Sequence, residues 1–268
     1  MESRVWIITG ASRGLGLALA REVARRRDAL VICARGRERL NAAAAGLRAA
    51  GGMVHALAGD VADEEFARRF VDKALERFGR VDVLVNNASL LGPSPLPPLR
   101  LYPLNELEQV FAANVIGPLR LAQRVLPGML ARGRGLIVNI SSDAAVGGYP
   151  GWGGYGASKA ALDLITHTLA KELDGTGVRA IGVDPGDMRT EMHQAAFPGE
   201  DISDRPLPEE VAPAVMGIID EELGRVGKAG SAEEGEAGPA DRLPGEAGEL
   251  GSWGGKPWRY QAQSGVRV

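Results

Sequence analysis

Along most of this chain apolar and polar positions come in blocks rather than in strict alternation. Short apolar runs occupy 5–8, 30–34, 54–58, 81–85, 136–140 and 178–183. Runs without alternation suit strands buried on both faces, the signature of a parallel sheet covered by helices. Between them lie longer stretches of helical period. These are 15–27, the alanine-rich 38–50, and 64–78 with Phe66, Phe70, Ala74 and Phe78 at steps of four. The pattern continues with 105–129, the segment after Tyr155 carrying Leu162, Ile165, Leu169 and Leu173, and 209–223. A seventh strand is expected over 258–262. Strand and helix in this alternation predict an α/β fold, a doubly wound and mainly parallel β-sheet of Rossmann type in a single domain.

Composition refines this organisation. The 268 residues are 45% apolar and carry a formal net charge of −3, which gives no reason to expect nucleic acid or an anionic membrane as partner. No apolar run approaches the ~20 residues of a spanning helix, and no signal peptide is read at the N-terminus. The single cysteine, Cys33, excludes an intramolecular disulfide and suits a cytoplasmic location. Three histidines, His55, His167 and His193, stand far apart without metal-ligand spacing, so no metal is expected. Ten of the 37 glycines and six acidic residues fall in 224–255, too polar to bury the surface that ordering needs. The expected organisation is therefore a domain over 1–223, a flexible Gly/Glu-rich insertion over 224–255, and a C-terminal segment over 256–268. The loop 92–103 is proline-rich, and the stretch around Pro198, Gly199, Pro206 and Pro208 is expected to be mobile.

Candidate chemistry gathers at the C-terminal ends of the expected strands, where open parallel sheets bind ligands. Thr9-Gly10-Ala11-Ser12-Arg13-Gly14-Leu15-Gly16 joins the first strand to the first helix. Its glycines let the backbone turn tightly against a pyrophosphate at a helix N-terminus. After the second strand stands Arg35, where NAD-binding folds often place an acid. Arg35 and Arg13 are able to hold a ribose 2′-phosphate, or are solvated surface charges; the absence of an acid favours NADP(H). Tyr155 and Lys159 lie one helical turn apart, and an ammonium at that distance is expected to lower the phenol pKa. The residues between them are small, which would let a ligand lie against the helix. Pro118 has no N–H for the carbonyl of Asn114, which leaves that oxygen open to water, or the helix bends at Gly117-Pro118 to fit its neighbours; both can hold.

Taken together, the Thr9–Gly16 turn, Asp60-Val61, Asn86-Asn87-Ala88, Asn114, Ser142, Tyr155 with Lys159, and Pro185-Gly186 with Thr190 resemble the short-chain dehydrogenase/reductase family, over 5–223. The resemblance implies Tyr155 as proton donor and acceptor, with Lys159 binding the nicotinamide ribose. It implies Ser142 (Ser141 being the neighbouring alternative) as the residue holding the substrate oxygen, and Asn114 as support for a water-linked proton relay. For the cofactor it implies the turn residues Gly10, Ser12, Arg13, Gly14, Leu15 and Gly16, then Arg35, Asp60 and Val61 at the adenosine end. Asn87, Tyr155, Lys159, Pro185, Gly186 and Thr190 complete that set. Two departures stand out: Ser89 where the family usually has Gly, and a C-terminus without the usual Gly-Gly. The second leaves open whether the chain forms a dimer or tetramer.

Trp152, Met188, Met192 and Phe197 are expected to make an apolar wall or lid, and His193 to lie near the substrate. The expected function is NADP(H)-dependent hydride transfer to or from a small carbonyl or alcohol substrate. The alternative is a dinucleotide-binding sensor without turnover, against which the intact Ser142, Tyr155 and Lys159 argue. A nucleotide-sugar dehydratase or epimerase is disfavoured by the short substrate segment.

Overall fold

The computed structural model describes residues 3–227 and 259–262. Seven strands form one parallel sheet, and helices cover both of its faces. In chain order the elements are β1 (Val5–Thr9), α1 (Gly14–Arg25), β2 (Ala29–Ala34), α2 (Arg37–Ala49), β3 (Met53–Ala58), α3 (Glu64–Phe78) and β4 (Val83–Asn86). Next come α4 (Leu104–Phe111), α5 (Gly117–Ala131), β5 (Gly135–Ile140), α6 (Gly153–Glu172), β6 (Val178–Asp184), α7 (Glu191–Ala196), α8 (Pro208–Leu223) and β7 (Arg259–Gln261). The spatial order β3-β2-β1-β4-β5-β6-β7 reverses between β1 and β4, which opens a crevice at the C-terminal ends of those two strands.

The unbroken apolar runs are explained by the two cores. Trp6, Ile8, Leu30, Ile32, Val83, Val85, Val138 and Val183 point to one face, under α1 and α8. Ile7, Val31, Cys33, Leu84, Ile137 and Ala180 point to the other, under α3 and α5. Period-2 geometry persists, but each set meets helices, so neither is polar. Phe66 and Phe70 of α3 stack at 5.6 Å inside the second core. Asp63 starts that helix by accepting the Phe66 N–H, with Glu64 and Glu65 in the first turn.

Several boundaries differ from expectation for physical reasons. β1, β4 and β6 each run one residue further, into Thr9, Asn86 and Asp184, because those polar residues remain in the ladder or bond locally at its end. The long helix expected over 105–129 is divided. A π-turn, Ala112–Ile116, separates α4 from α5, with Gly117 N–H reaching back to Ala112 O and Pro118 following in the first turn of α5. The stretch expected to be mobile contains α7, capped by Thr190, whose Oγ1 accepts from His193 N. The seventh strand is present as Arg259–Gln261, parallel to β6. Trp253, Trp258 and most of the Gly/Glu-rich segment lie outside the described residues.

The face that α6 buries also differs from expectation. Beside Leu162 it buries Tyr155, Ser158, Lys159, Asp163 and Thr166, a polar row at helical spacing. Part of that row is met from the sheet, while Asp163 Oδ1 is left without a hydrogen-bond partner. Asn86 Nδ2 donates to Asn139 Oδ1 at 2.8 Å, and Asn139 Nδ2 donates to Thr166 Oγ1 at 2.7 Å. Buried polar groups of this kind are costly unless paired.

Candidate active site

One cavity of about 700 Å³ runs along the C-terminal ends of the strands, from the β2 end to α7. Of the sequence-derived site residues it brings together Gly10, Ser12, Arg13, Gly14, Leu15, Arg35, Asp60, Val61, Asn87, Ser142, Tyr155, Lys159, Pro185, Gly186 and Thr190. Two lie behind its wall. Gly16 sits where a Cβ would come within 2.4 Å of Asn87 Nδ2 and 2.6 Å of Gly10 O, so its role is close packing of α1 under the turn. Asn114 is 1% exposed, and its side chain hydrogen-bonds Ser89, Leu90 and Ser158.

The glycine turn is tied to the end of β4. Thr9 Oγ1 accepts from Asn87 N and Ala88 N, and the Asn87 side-chain amide donates to Thr9 O and Gly10 O. The Asn87 amide, expected as a cofactor contact, is thus occupied in holding the turn. No side chain caps α1, no acid stands in its first turn, and its first residues Gly14 and Leu15 line the cavity, an arrangement able to receive an anion. Beside it three guanidiniums gather. Arg13 is held below its ordinary pKa first by burial and then by Arg39 and Arg35. Glu191, at the start of α7, bridges Arg13 and Arg39, the latter at 2.9 Å. Sequence reasoning missed Arg39, which stands in the first turn of α2. The cluster suits a ligand carrying phosphate at both places.

At the other end, α6 and β5 present the chemistry. Tyr155 is 8% exposed, and it shares the cavity lining with Ser89 and Ser142. Lys159 Nζ lies 5.5 Å from the Tyr155 ring centroid and donates to Ile140 O at 2.7 Å. The expectation that Lys159 lowers the phenol pKa is not met in this structure. Burial pushes Tyr155 up to about 12, against the pull of Ser89 and Ser142. Burial also brings Lys159 down to about 8, opposed by Asp163 and Asp184. The small residue Gly156 serves packing rather than ligand approach, since a Cβ there would meet Ala144 O at 2.6 Å. Ser142 Oγ donates to Asp143 Oδ1 at 3.1 Å.

Three further residues surround Lys159. Asp163 is one turn along α6, Asp184 ends β6, and Arg259 of β7 lies 3.4 Å from Asp163 and 3.6 Å from Asp184. Arg259 also donates to Ser142 O at 3.0 Å. Asp163 was legible only as an acid four residues after Lys159; Arg259 carried no sequence signal at all.

The wall over Tyr155 is apolar. Trp152 meets Tyr155 edge-on at 5.9 Å and Phe197 at 5.8 Å, and Leu91, Leu96 and Met192 complete the patch. Met188 packs against the main core and also lines the cavity. The His193 ring lies tilted against Phe197, with centroids 4.9 Å apart. Ser94, in the proline-rich loop, donates to Ala195 O of α7 at 2.6 Å, which joins loop and lid. Among the described residues there is no cluster of acids, histidines or cysteines able to hold a metal ion. No helix among them is long and apolar enough to cross a membrane.

Comparison with known proteins gives a consistent result. The family model described as short chain dehydrogenase matches residues 4–201. The chain is 36% identical over 231 residues to 2-(R)-hydroxypropyl-CoM dehydrogenase of Xanthobacter autotrophicus, covering 82% of this chain and 92% of that protein. Among solved structures it is similar to a metagenomic short-chain oxidoreductase in complex with NADP. That pair is 32% identical, covers 80% of this chain and 89% of the other, and has a TM-score of 0.69. An alcohol dehydrogenase of the archaeon Thermococcus sibiricus complexed with 5-hydroxy-NADP is 33% identical, covers 82% and 91%, and has a TM-score of 0.73.

Proposed function

We propose, from the premise that this chain belongs to the short-chain dehydrogenase family, that it is an NADP(H)-dependent carbonyl reductase or alcohol dehydrogenase acting on a small, largely apolar substrate. Membership makes it an oxidoreductase. The observation that carries the finer reading is the arrangement of one cavity: three arginines at one end, and a buried phenol flanked by two hydroxyls at the other. The crowding of Arg13, Arg35 and Arg39 beside an uncapped helix N-terminus favours a dinucleotide with a 2′-phosphate, and two NADP-bound relatives support the same choice.

A bound nicotinamide would supply the hydride. In the reductive direction Tyr155 donates its proton to the oxygen that becomes the alcohol, while Ser142 holds that oxygen. Lys159, anchored on Ile140 O, is placed to bind a ribose hydroxyl beside the phenol. Asn114 fixes the floor, its amide donating to Ser158 Oγ at 3.0 Å and to Leu90 O at 2.9 Å. Its backbone carbonyl, denied a helical partner by Pro118, is the place for a relay water. Trp152, Met192 and Phe197 exclude bulk water and favour an apolar group on the carbonyl carbon. Cytoplasmic location is part of this reading, supported by Cys33 as the chain's one thiol, buried and with its pKa raised by burial.

The purified protein, offered ketones, aldehydes, quinones and pterins, is expected to consume NADPH faster than NADH. Tyr155→Phe should bind NADPH normally and lose about 10²–10⁴-fold in turnover. No NADPH consumption across the panel would favour a dinucleotide-binding sensor instead.

A further inference from the structure

Three buried charged side chains take no part in the chemistry at Tyr155. Asp163, Asp184 and Arg259 are each no more than 7% exposed, and they belong to α6, β6 and β7. Buried charges are costly unless they meet one another. The Arg259 guanidinium lies 3.4 Å from Asp163 Oδ2 through Nε and 3.6 Å from Asp184 Oδ2 through Nη2. The register that delivers it sets Arg259 beside Gly182 and is closed by Ala262 N–H, which donates to Asp184 O at 2.8 Å. Carboxylates on two elements thus aim the guanidinium, and its Nη2 donates to the backbone carbonyl of Ser142 at 3.0 Å. Ser142 and Asp184 line the cavity, with Arg259 behind them.

Ser142 needs that hold. The strand ladder ends one residue before it, with Ser141 N–H donating to Val183 O at 2.8 Å. Beyond it the chain makes a single 3₁₀ turn, Asp143–Ala145, and such turns have poor hydrogen-bond geometry. Ala145 N–H donates to one lone pair of the Ser142 carbonyl at 3.0 Å, and Arg259 donates to the other. The bond from the guanidinium is charge-assisted and is the stronger of the two. The peptide that leaves Ser142 is therefore fixed from β7, and with it the Cα that carries Oγ.

We infer that Arg259 is the positioning residue for Ser142: anchored by Asp163 and Asp184, it holds the Ser142 carbonyl so that Oγ is set for the substrate oxygen. The inference rests on the function proposed above, in which Ser142 holds that oxygen. No proton passes through Arg259. A donor aimed at developing charge works through preorganisation, so loss of this support appears in the chemical step rather than in cofactor binding.

Arg259→Lys keeps a positive charge between the carboxylates and loses the planar fork that also reaches Ser142 O. It should bind NADPH as wild type does and lose about ten- to a hundredfold in kcat and kcat/KM alike, with KM for the carbonyl substrate unchanged. The pair Arg259→Met with Asp163→Asn, which removes the guanidinium without leaving Asp163 charged, should show the same fall in kcat. Adding Ser142→Ala to Arg259→Lys should cost little beyond Ser142→Ala alone, because both changes act on one contact. Wild-type kcat in a variant of lowered thermal stability, or fully additive losses, would overturn the inference. A readout without turnover is amide hydrogen exchange at Ala145, which shares the Ser142 carbonyl with Arg259. In Arg259→Lys it should quicken by about tenfold or more relative to Ile137 of β5. Absence of wild-type turnover would sink the proposed function, and unchanged exchange at Ala145 would sink the role of Arg259.

Discussion

Lys159 carries an ammonium into a position only 2% exposed, and burial moves it from its ordinary value of 10.5 to about 8. The consequence for stability has a definite sign. Below about pH 8 the group is protonated in both folded and unfolded chains, and the penalty of a buried charge is fully present. Between about 8 and 10.5 the unfolded chain still binds a proton that the folded one has lost, so stability rises with pH. Lys159→Met has nothing to titrate. The stability of wild type relative to this variant should therefore climb by up to about 3 kcal/mol from pH 7 to pH 10.5 in the cofactor-free protein, read from denaturant unfolding at each pH. Tyr155, Tyr260 and Cys33, all raised by burial, act the opposite way at alkaline pH, but they are present in both proteins and largely cancel in the difference. A flat difference would mean that Lys159 keeps an ordinary pKa.

At the scale of elements, β7 is short but holds a central place. Arg259 is buried between Asp163 and Asp184 and donates to the carbonyl of Ser142, while Tyr260 hydrogen-bonds Glu222 of α8. Removing the guanidinium leaves two buried carboxylates facing each other. Arg259→Ala should cost about 3–5 kcal/mol in chemical denaturation, and adding Asp163→Asn should recover part of that loss; equal loss in single and double variants would show that the charges are not coupled. This strand also marks where sequence reading fell short. The buried strands of the sheet's centre were legible because each apolar run is local, and Ser142, Tyr155 and Lys159 because their spacing is local too. Arg259 reaches Asp163 only through the parallel pairing of β7 with β6, which no short-range pattern encodes. α7 was missed because six residues cannot hold a helix by propensity, and this one leans on Thr190, Ser94 and the arginines. The polar face of α6 was hidden by its apolar stripe, since Asn86, Asn139 and Asn114 satisfy it from distant parts of the chain.

Over the whole molecule, the two halves of the sheet meet at Glu191. The β1–β2 half supplies Arg13 and Arg39, and the segment after β6 supplies α7, whose Met192 packs in the apolar patch with Tyr155. Glu191 joins them, its carboxylate occupying two guanidiniums that a 2′-phosphate would use. On the proposed NADP(H) reading, a phosphate arriving there would compete with that carboxylate and be repelled by it, which would link cofactor selectivity to the position of α7. The pairs are more than half exposed, which limits their worth to about 1 kcal/mol or less. Glu191→Gln keeps the size and removes the charge. NADPH affinity should then rise about three- to fivefold while NADH affinity stays nearly constant, measured by calorimetric titration of both. Because the repulsion is between charges in water, the gain should shrink at high salt. An equal gain for NADH would place the effect in the movement of α7 alone. A loss for NADPH would mean that Glu191 orients the arginines for the phosphate rather than competing with it.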